Sequence, residues 1–250
     1  MYRAVELRRN RTVAIKSLHK RHQRDRWAVR QFVSEAQIMA KVCHPSIVGV
    51  HGLGQYPGGG YFLVMDWVDG ENLQQKVDRA PLPVAEAVRI VNNVAGAISA
   101  AHHGNVLHGD LKPANILISR QNAVYVADFG LASLRSQTLN TNTIRGGTLA
   151  YLAPEQLTNT PLDFSVDVYG LGGLLYSILT GRPPRTGSPD TILSDLERGI
   201  PPVPPSRWGI SLPSQLEALV MNCLASDPAA RLPTVEQFRP ELKAFCDAES

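Results

Sequence analysis

The amino-acid sequence predicts an α+β fold of two lobes, with a small β-rich N-lobe followed by a larger helical C-lobe. Up to about residue 66, short β-prone runs such as residues 12–16 alternate with turns. After Asp69 the pattern changes to longer segments with apolar residues at helical spacing. We therefore expect a division into residues 1–66 and 67–250, with a hinge near residues 66–70 and a ligand cleft between the lobes.

Four strands and one helix are expected in the N-lobe. The strands cover residues 2–4, 12–16, 47–50 and 61–65, and the second strand ends in Lys16. Residues 26–42 carry apolar side chains at roughly helical spacing, and Glu35 falls within this helix. His44 and Pro45 end it, because the residue before a proline disfavours the helical backbone. A glycine-rich turn over residues 55–60 joins the last two strands.

The C-lobe is expected to contain several helices around one buried helix. A long helix begins after Pro83 and ends at Gly104, with one apolar stripe along it. Residues 168–180 form the longest apolar stretch, headed by Asp167, and predict a buried helix over about residues 165–180. Further helices are expected from Ser188, over residues 216–224 and from Thr234. The Ser/Thr/Asn-rich residues 134–145 lack periodicity and predict a mobile loop.

A short hairpin in the middle of the chain gathers polar residues. Residues 116–118 and 124–126 are β-prone runs joined by turn-forming residues. Pairing of these runs would place Asn115 opposite Ala127, one residue from Asp128. Asp110 and Lys112 lie on the approach loop, which Pro113 keeps from forming a regular helix. Two carboxylates, an amide and an ammonium favour Mg²⁺ and phosphate chemistry over a soft transition-metal site.

The composition excludes several classes of function. A net charge of +3 without a run of Lys or Arg predicts no nucleic-acid surface. Three cysteines without CxxC spacing indicate neither a zinc site nor a disulfide framework, and they favour a reducing, cytoplasmic location. The longest apolar stretch, residues 168–180, is too short to span a membrane, and no signal peptide follows Met1. The composition does not indicate an oligomeric state.

The ordered motifs resemble those of the eukaryotic-type Ser/Thr protein kinase family, in its bacterial branch. The resemblance covers nearly the whole chain, and it is specific because the motifs occur in the family's order. In chain order, the matching residues are Val13-Ala14-Ile15-Lys16, Glu35, His108-Gly109-Asp110 with Asn115, Asp128-Phe129-Gly130, Ala153-Pro154-Glu155, Asp167 and Arg231.

The resemblance implies a two-lobed protein-kinase-like fold and a role for each polar motif residue in phosphoryl transfer from ATP. Lys16 would bind the α- and β-phosphates while Glu35 holds its ammonium group. Asp110 would accept the proton of the substrate hydroxyl group, and Lys112 would contact the γ-phosphoryl group. Asn115 and Asp128 would hold Mg²⁺. Each pair also has an alternative interpretation. Lys16 and Glu35 could be a surface strand lysine and a solvated helix glutamate. Asp110 and Lys112 could form a loop ion pair without catalytic function.

The resemblance also implies an adenine pocket and an acceptor class. Ala14 and Leu117 would cover the two faces of adenine, Met65 would limit the depth of the pocket, and the backbone from Asp66 to Val68 would bond its edge.

The Asp110-Leu111-Lys112 spacing is similar to the Ser/Thr-specific form of the family's loop, and Gly147-Thr148 favours the same form, so protein Ser or Thr hydroxyls are the expected acceptors. Asp167 would brace the backbone at His108 and Gly109, and Glu155 would form a buried ion pair with Arg231.

Two departures from the family pattern affect the interpretation. Gly109 stands where many members have arginine, so activity is expected without phosphorylation of the loop hydroxyls. These are Ser133, Ser136, Thr138, Thr141 and Thr143. In the family a glycine-rich phosphate loop precedes the strand at residues 2–4, so we expect an incomplete N-lobe and a catalytic domain shortened before that loop. A start site assigned too far downstream is one hypothesis for Met1.

Three functions are consistent with these patterns. The first is an ATP- and Mg²⁺-dependent Ser/Thr protein kinase. The second is a kinase-like binding or regulatory module that has lost turnover together with the phosphate loop. The third is a small-molecule phosphotransferase of the aminoglycoside type, because His108-Gly109-Asp110 with Asn115 also resembles the loop of that family. The kinase-like segment over residues 147–155 weighs against the third.

Overall fold

The N-lobe is an antiparallel sheet with one helix packed against it. The computed structural model describes residues 1–18, 23, 25–57, 59–129, 149–158 and 161–245. The strands pair in the order β1-β2-β4-β3. The N-lobe elements are β1 (Tyr2–Glu6), β2 (Arg11–Ser17), α1 (Arg26–Met39), β3 (Val50–Gln55) and β4 (Tyr61–Asp66).

Helix α1 begins where the sequence predicts and ends three residues earlier than predicted. The Asp25 side chain accepts hydrogen bonds from the first N–H groups of the helix, which would otherwise lack partners. Phe32, Ala36 and Met39 form its buried face. Because these positions are spaced by three and four residues, Glu35 lies beside the buried face, at the edge nearest the sheet.

The predicted strand over residues 47–50 is wrong. Ile47 and Val48 are buried because they lie against Val126 of the C-lobe, where the Val48 N–H donates to the Val126 carbonyl at 2.9 Å. The observed strand β3 begins at Val50 instead and contains two glycines. Glycine has low β propensity, so the sequence gives only a weak strand signal here. A Cβ atom at Gly54 would lie less than 3 Å from the Phe62 ring, so a larger residue there would force that ring to move.

The C-lobe is mainly helical, as the sequence predicts. The helix predicted after Pro83 is present, and Gly104 caps its carboxyl end. In the described part of the lobe the α-helices are α2 (Leu73–Val77), α3 (Val84–His103), α4 (Ser165–Thr180), α5 (Pro189–Glu197), α6 (Ser214–Cys223) and α7 (Val235–Lys243). All residues of α4 are buried, which confirms the predicted central helix. None of the described helices is both long and apolar enough to cross a membrane.

The predicted hairpin is present and belongs to a three-stranded sheet. Strands β6 (Ile116–Ser119) and β7 (Val124–Val126) pair with Ile116 opposite Val126. A third strand that the sequence analysis missed, β5 (Gly70–Asn72), pairs with β6. At Gly70 a Cβ atom would collide with the Ile118 carbonyl oxygen, so this strand can approach only through glycine. The sheet carries the polar residues at one end of the hairpin.

Candidate active site

One lysine joins the two lobes. The Lys16 ammonium group lies 2.6 Å from Glu35 Oε1 and 2.8 Å from Asp128 Oδ1. Lys16 therefore links strand β2 to helix α1 within the N-lobe and to the residue that follows the C-lobe hairpin. Burial would lower the pKa of Lys16, but the Coulombic attraction and hydrogen bonds of Asp128 and Glu35 outweigh it and raise the pKa above its usual value. Lys16 is therefore a fixed positive charge in the cleft.

The hairpin positions Asp128. The Ala127 N–H donates to the Asn115 carbonyl at 2.9 Å, so Asn115 lies opposite Ala127 as predicted. Asp128 itself has a φ of 57°, a left-handed conformation that is uncommon for residues other than glycine. Such conformations persist where the surroundings determine them, and they are frequent at functional sites. Lys16 and the Asn115–Ala127 pairing provide that support on either side of Asp128.

Asp110, Lys112 and Asn115 form a second polar group. Lys112 Nζ lies 2.9 Å and 2.7 Å from the two Asp110 carboxylate oxygens. Asn115 Nδ2 donates to the Asp110 carbonyl at 2.8 Å and to Asp110 Oδ2 at 3.0 Å. A 3₁₀ turn over Pro113–Asn115 connects the three residues, because proline fits the first position of such a turn. The Asp110 carboxylate is thus held from two sides.

Asp167 supports the loop from the buried helix α4. Its Oδ2 accepts from the His108 N–H at 2.9 Å, and its Oδ1 accepts from the Gly109 N–H at 2.7 Å. His102 of α3 lies 2.8 Å from Oδ2. A buried carboxylate needs such donors to offset the loss of hydration. The expected brace at His108 and Gly109 is confirmed.

The His108 ring links the loop to the hairpin. Its Nδ1 accepts from the Asp110 N–H at 3.2 Å, so its Nε2 carries the proton and donates to the Ala127 carbonyl at 3.1 Å. The ring also packs against Phe129, with 4.6 Å between centroids. His108 therefore bonds the backbone of Asp110 and of Ala127, the residue before Asp128, at the same time.

The residues expected around adenine lie where strands and hinge meet. Ala14 and Met65 are buried and are paired across β2 and β4. Leu117 is half-buried on β6. The Asp66 N–H donates to the Gly49 carbonyl at 2.9 Å, so it is engaged within the protein, and the Asp66 carboxylate accepts from the Gly49 N–H. The Asp66 N–H is therefore not available to an adenine edge.

The candidate metal ligands are an amide and a carboxylate. In the described part of the chain, no three His, Cys, Asp or Glu side chains form a cluster able to hold a metal ion. Asn115 donates from Nδ2 to Asp110, so its Oδ1 could coordinate a metal ion. Asp128 accepts from Lys16 through Oδ1, so its Oδ2 could do the same. Two such hard oxygen donors fit Mg²⁺, which takes one or two protein ligands and completes its shell with phosphate and water.

The expected ion pair below the loop is confirmed. Arg231 donates from Nη1 and Nη2 to the two Glu155 oxygens at 2.6 Å and 2.8 Å. The Arg231 guanidinium also donates to the carbonyls of Ala225 and Ser165. This bidentate pair fixes the 3₁₀ turn over Pro154–Leu157 against helix α4.

Several residues lie outside the described part of the chain. They are Gly130, Gly147, Thr148, the residues 134–145 predicted as a loop, and the five hydroxyl residues named above. One buried contact was missed by sequence reasoning: Gln156 donates to the Gly109 carbonyl. Its position directly after the Ala153-Pro154-Glu155 motif was the available signal, but nothing in the sequence specifies its partner.

Comparison with known proteins identifies the family. The protein kinase domain model matches residues 1–241. Serine/threonine-protein kinase PknB of Mycolicibacterium smegmatis is 38% identical over 246 residues, which are 96% of this chain and 39% of that protein. PrkC of Bacillus subtilis, also named a serine/threonine-protein kinase, is 34% identical over 254 residues, which cover 100% of this chain and 39% of its own length.

The chain thus spans about two fifths of the length of these relatives, whose matched share is 39%. The matches do not favour the aminoglycoside-type alternative, because the family model and the relatives describe protein kinases. Membership also implies ATP as the nucleotide, usually with a divalent metal. The chain belongs to the protein kinase family, in the bacterial branch of eukaryotic-type Ser/Thr kinases.

Proposed function

We propose that this chain transfers the γ-phosphoryl group of Mg²⁺-bound ATP to Ser or Thr hydroxyl groups of proteins. The observation that carries the proposal is the simultaneous contact of Lys16 with Glu35 and Asp128, next to the bonded group of Asp110, Lys112 and Asn115. Phosphoryl transfer needs mainly positioning and neutralisation of phosphate charge, which this arrangement supplies.

The nucleotide would lie between residues 1–66 and residues 67–250. Ala14 and Leu117 would contact the two faces of adenine, and Met65 would close the back of the pocket. The Asp66 carbonyl and the Val68 backbone would bond the adenine edge. Lys16 would neutralise phosphate charge, and Glu35 would keep the Lys16 ammonium group in place.

Asn115 and Asp128 would hold Mg²⁺ through Oδ1 and a carboxylate oxygen. When bound, the ion supplies positive charge that offsets the charge of the phosphate oxygens. Asn115 would be oriented for this task by its two hydrogen bonds to Asp110. Asp128 would be oriented by Lys16 and by its left-handed backbone.

Asp110 would orient the acceptor hydroxyl group and take its proton as the transfer proceeds. The hydroxyl oxygen forms a bond to the γ-phosphorus, the bond from that phosphorus to the β–γ bridging oxygen breaks, and ADP leaves with the electron pair. Lys112 would stabilise charge on the γ-phosphoryl oxygens while it keeps contact with Asp110. Ser and Thr acceptors are supported by the names of the matched relatives.

The proposal is tested with γ-labelled ATP, Mg²⁺ and a basic Ser/Thr-containing protein such as histone or myelin basic protein. The Asp110→Asn variant removes the base with little change in shape, and its rate is expected to fall by roughly 10²- to 10⁴-fold. The matched control is Asp69→Asn, since Asp69 is exposed and pairs only at the surface with Arg120. Equal label transfer by both variants would contradict the assignment of Asp110.

The same assay, together with thermal melting with and without Mg²⁺ and ATP, separates the other candidate functions. A chain that Mg²⁺ and ATP stabilise against heat, but that labels no protein, is a kinase-like binding module. Label on aminoglycosides and not on protein would indicate the small-molecule phosphotransferase. We expect label on protein Ser or Thr.

Gly109 predicts the dependence on phosphorylation. The residue has a φ of +71° and carries no side chain, so this position supplies no cationic group for a loop phosphate. A variant with all five loop hydroxyl residues replaced by alanine is therefore expected to keep its activity. Lost activity in a folded five-alanine variant would show that this expectation is wrong.

A further inference from the structure

Gln156 is a buried amide that bridges two backbone segments. Its side chain is 4% exposed, its Oε1 accepts from the Ala153 N–H at 2.9 Å, and its Nε2 donates to the Gly109 carbonyl at 2.8 Å. The first bond lies within its own turn, whereas the second spans 47 positions of sequence to the catalytic loop. The Gln side chain carries an acceptor oxygen and a donor nitrogen on one carbon, so it matches this pair of backbone groups.

The bond to Gly109 acts on the peptide group that leads into Asp110. The carbonyl oxygen of that peptide accepts from Gln156, and its N–H, which belongs to Asp110, donates to His108 Nδ1 at 3.2 Å. The preceding peptide is held through the Gly109 N–H by Asp167. Gly109 has a φ of +71°, a conformation that glycine adopts freely and that needs contacts to select it. Both polar atoms of the peptide that leads into Asp110 are thus fixed.

Gln156 is itself held in place by the ion pair below the loop. It follows Glu155 on the same 3₁₀ turn, and Glu155 is bonded through both oxygens to the buried Arg231. A rigid turn therefore presents the amide to Gly109. The connection from Arg231 to Asp110 runs through Glu155, Gln156 and Gly109.

We propose that Gln156 is a positioning residue for phosphoryl transfer, which sets the orientation of Asp110 through the Gly109 carbonyl. The inference rests on the proposed function, in which Asp110 accepts the hydroxyl proton. Without the amide, the Gly109 peptide loses a buried hydrogen bond and can rotate, and the Asp110 carboxylate turns with it. A small displacement of a reacting group is enough to cost up to about 100-fold in rate.

The first test is a double-mutant cycle between Gln156→Met and Asp110→Asn. Methionine keeps the length of the side chain and makes neither hydrogen bond. We expect Gln156→Met to lower kcat by roughly 10- to 100-fold, with less than about a threefold change in KM for ATP. In the Asp110→Asn background the same substitution should cost less than about threefold, because the group it positions is already absent.

The matched control is Gln121→Met, since Gln121 is exposed at the turn of the hairpin. It should leave kcat and KM unchanged in both backgrounds. A role in stability alone would lower the melting temperature of the Gln156 variant and leave kcat of the folded protein intact. The proposal is overturned by that result, or by an equal loss of kcat from Gln156→Met in both backgrounds.

A second measurement does not depend on activity. Hydrogen–deuterium exchange of the peptide covering residues 107–111 should be faster in Gln156→Met than in the parent or in Gln121→Met. Unchanged exchange there would overturn the proposal even if the variant were inactive. If the parent transfers no phosphate, the proposed function fails, and the exchange data alone decide whether Gln156 holds the loop.

Discussion

Replacing Arg231 with methionine tests how strongly the buried ion pair anchors the turn over Pro154–Leu157, which contacts the loop before Asp110. The Arg231 side chain is 0% exposed and its partner Glu155 is 13% exposed. Removal of one member of a buried pair leaves the other charge without compensation, at a cost of about 3–5 kcal/mol in the free energy of unfolding. The carbonyls of Ser165 and Ala225 also lose their donor.

The loss in free energy of unfolding can be measured by urea titration, with circular dichroism as the signal. A thermal scan gives a second readout. For a chain of this length, each kcal/mol corresponds to about 2–4 °C in Tm, so Tm is expected to fall by about 6–20 °C. The double variant Glu155→Gln with Arg231→Met should lose less than the sum of its single variants, by about 1–3 kcal/mol, because it leaves no uncompensated charge.

The control is Arg120→Met, which breaks an exposed pair of 3.2 Å with Asp69. Solvent screens exposed pairs, so its unfolding midpoint should stay within error of the parent. A loss below about 1 kcal/mol for Arg231→Met, or strict additivity in the double variant, would refute the reasoning that the pair is buried and coupled.

Three further perturbations have expected outcomes. The raised pKa of Lys16 means that its ion pairs contribute fully to stability below the unfolded pKa of about 10.4, and that this contribution is lost as the pH rises from there through the higher folded pKa. The difference in unfolding free energy between the parent and Lys16→Met should therefore be constant from pH 6 to 9 and shrink above about pH 10.5; a difference that already shrinks below pH 9 would contradict this. The buried Arg185 donates from Nη1 to the Ile200 carbonyl at 2.8 Å, but among the described residues its Nε and Nη2 have no hydrogen-bond partner. Because the cost of burying that charge exceeds the value of one hydrogen bond, Arg185→Met should raise the free energy of unfolding measured in urea, and a lowered free energy would contradict this. Burial raises the pKa of the Cys223 thiol to about 12, whereas Cys43 is exposed. In a Cys246→Ser background, only Cys43 should therefore react with Ellman's reagent at pH 8 until the protein is unfolded. Rapid labelling of two thiols in the native protein would disprove this prediction.

The sequence predicts elements well where one periodicity covers many residues. Helix α3 has its apolar stripe, a proline before its start and a glycine at its end, and its observed bounds agree with the prediction. The pairing of Asn115 with Ala127 follows from the short turn of the hairpin, and the structure confirms it. In both cases local signals and tertiary packing act in the same direction.

The errors arise where contacts distant in sequence decide the outcome. Ile47 and Val48 look like a strand but are buried by the C-lobe, while β3 has glycines that weaken its strand signal. Strand β5 depends on the close approach of Gly70 to β6, which no local pattern reveals. The bond from Gln156 to Gly109 was missed for the same reason, because its partners are 47 positions apart.

The most direct test of the candidate site is the effect of Mg²⁺ on nucleotide binding. Calorimetric titration with a non-hydrolysable ATP analogue should show tighter binding with Mg²⁺ than with EDTA in the parent chain. Asn115→Ala and Asp128→Asn should each remove most of that difference, whereas the surface variant Asp69→Asn should keep it. An equal gain from Mg²⁺ in all four proteins would show that Asn115 and Asp128 do not hold the metal, and would contradict the site described above.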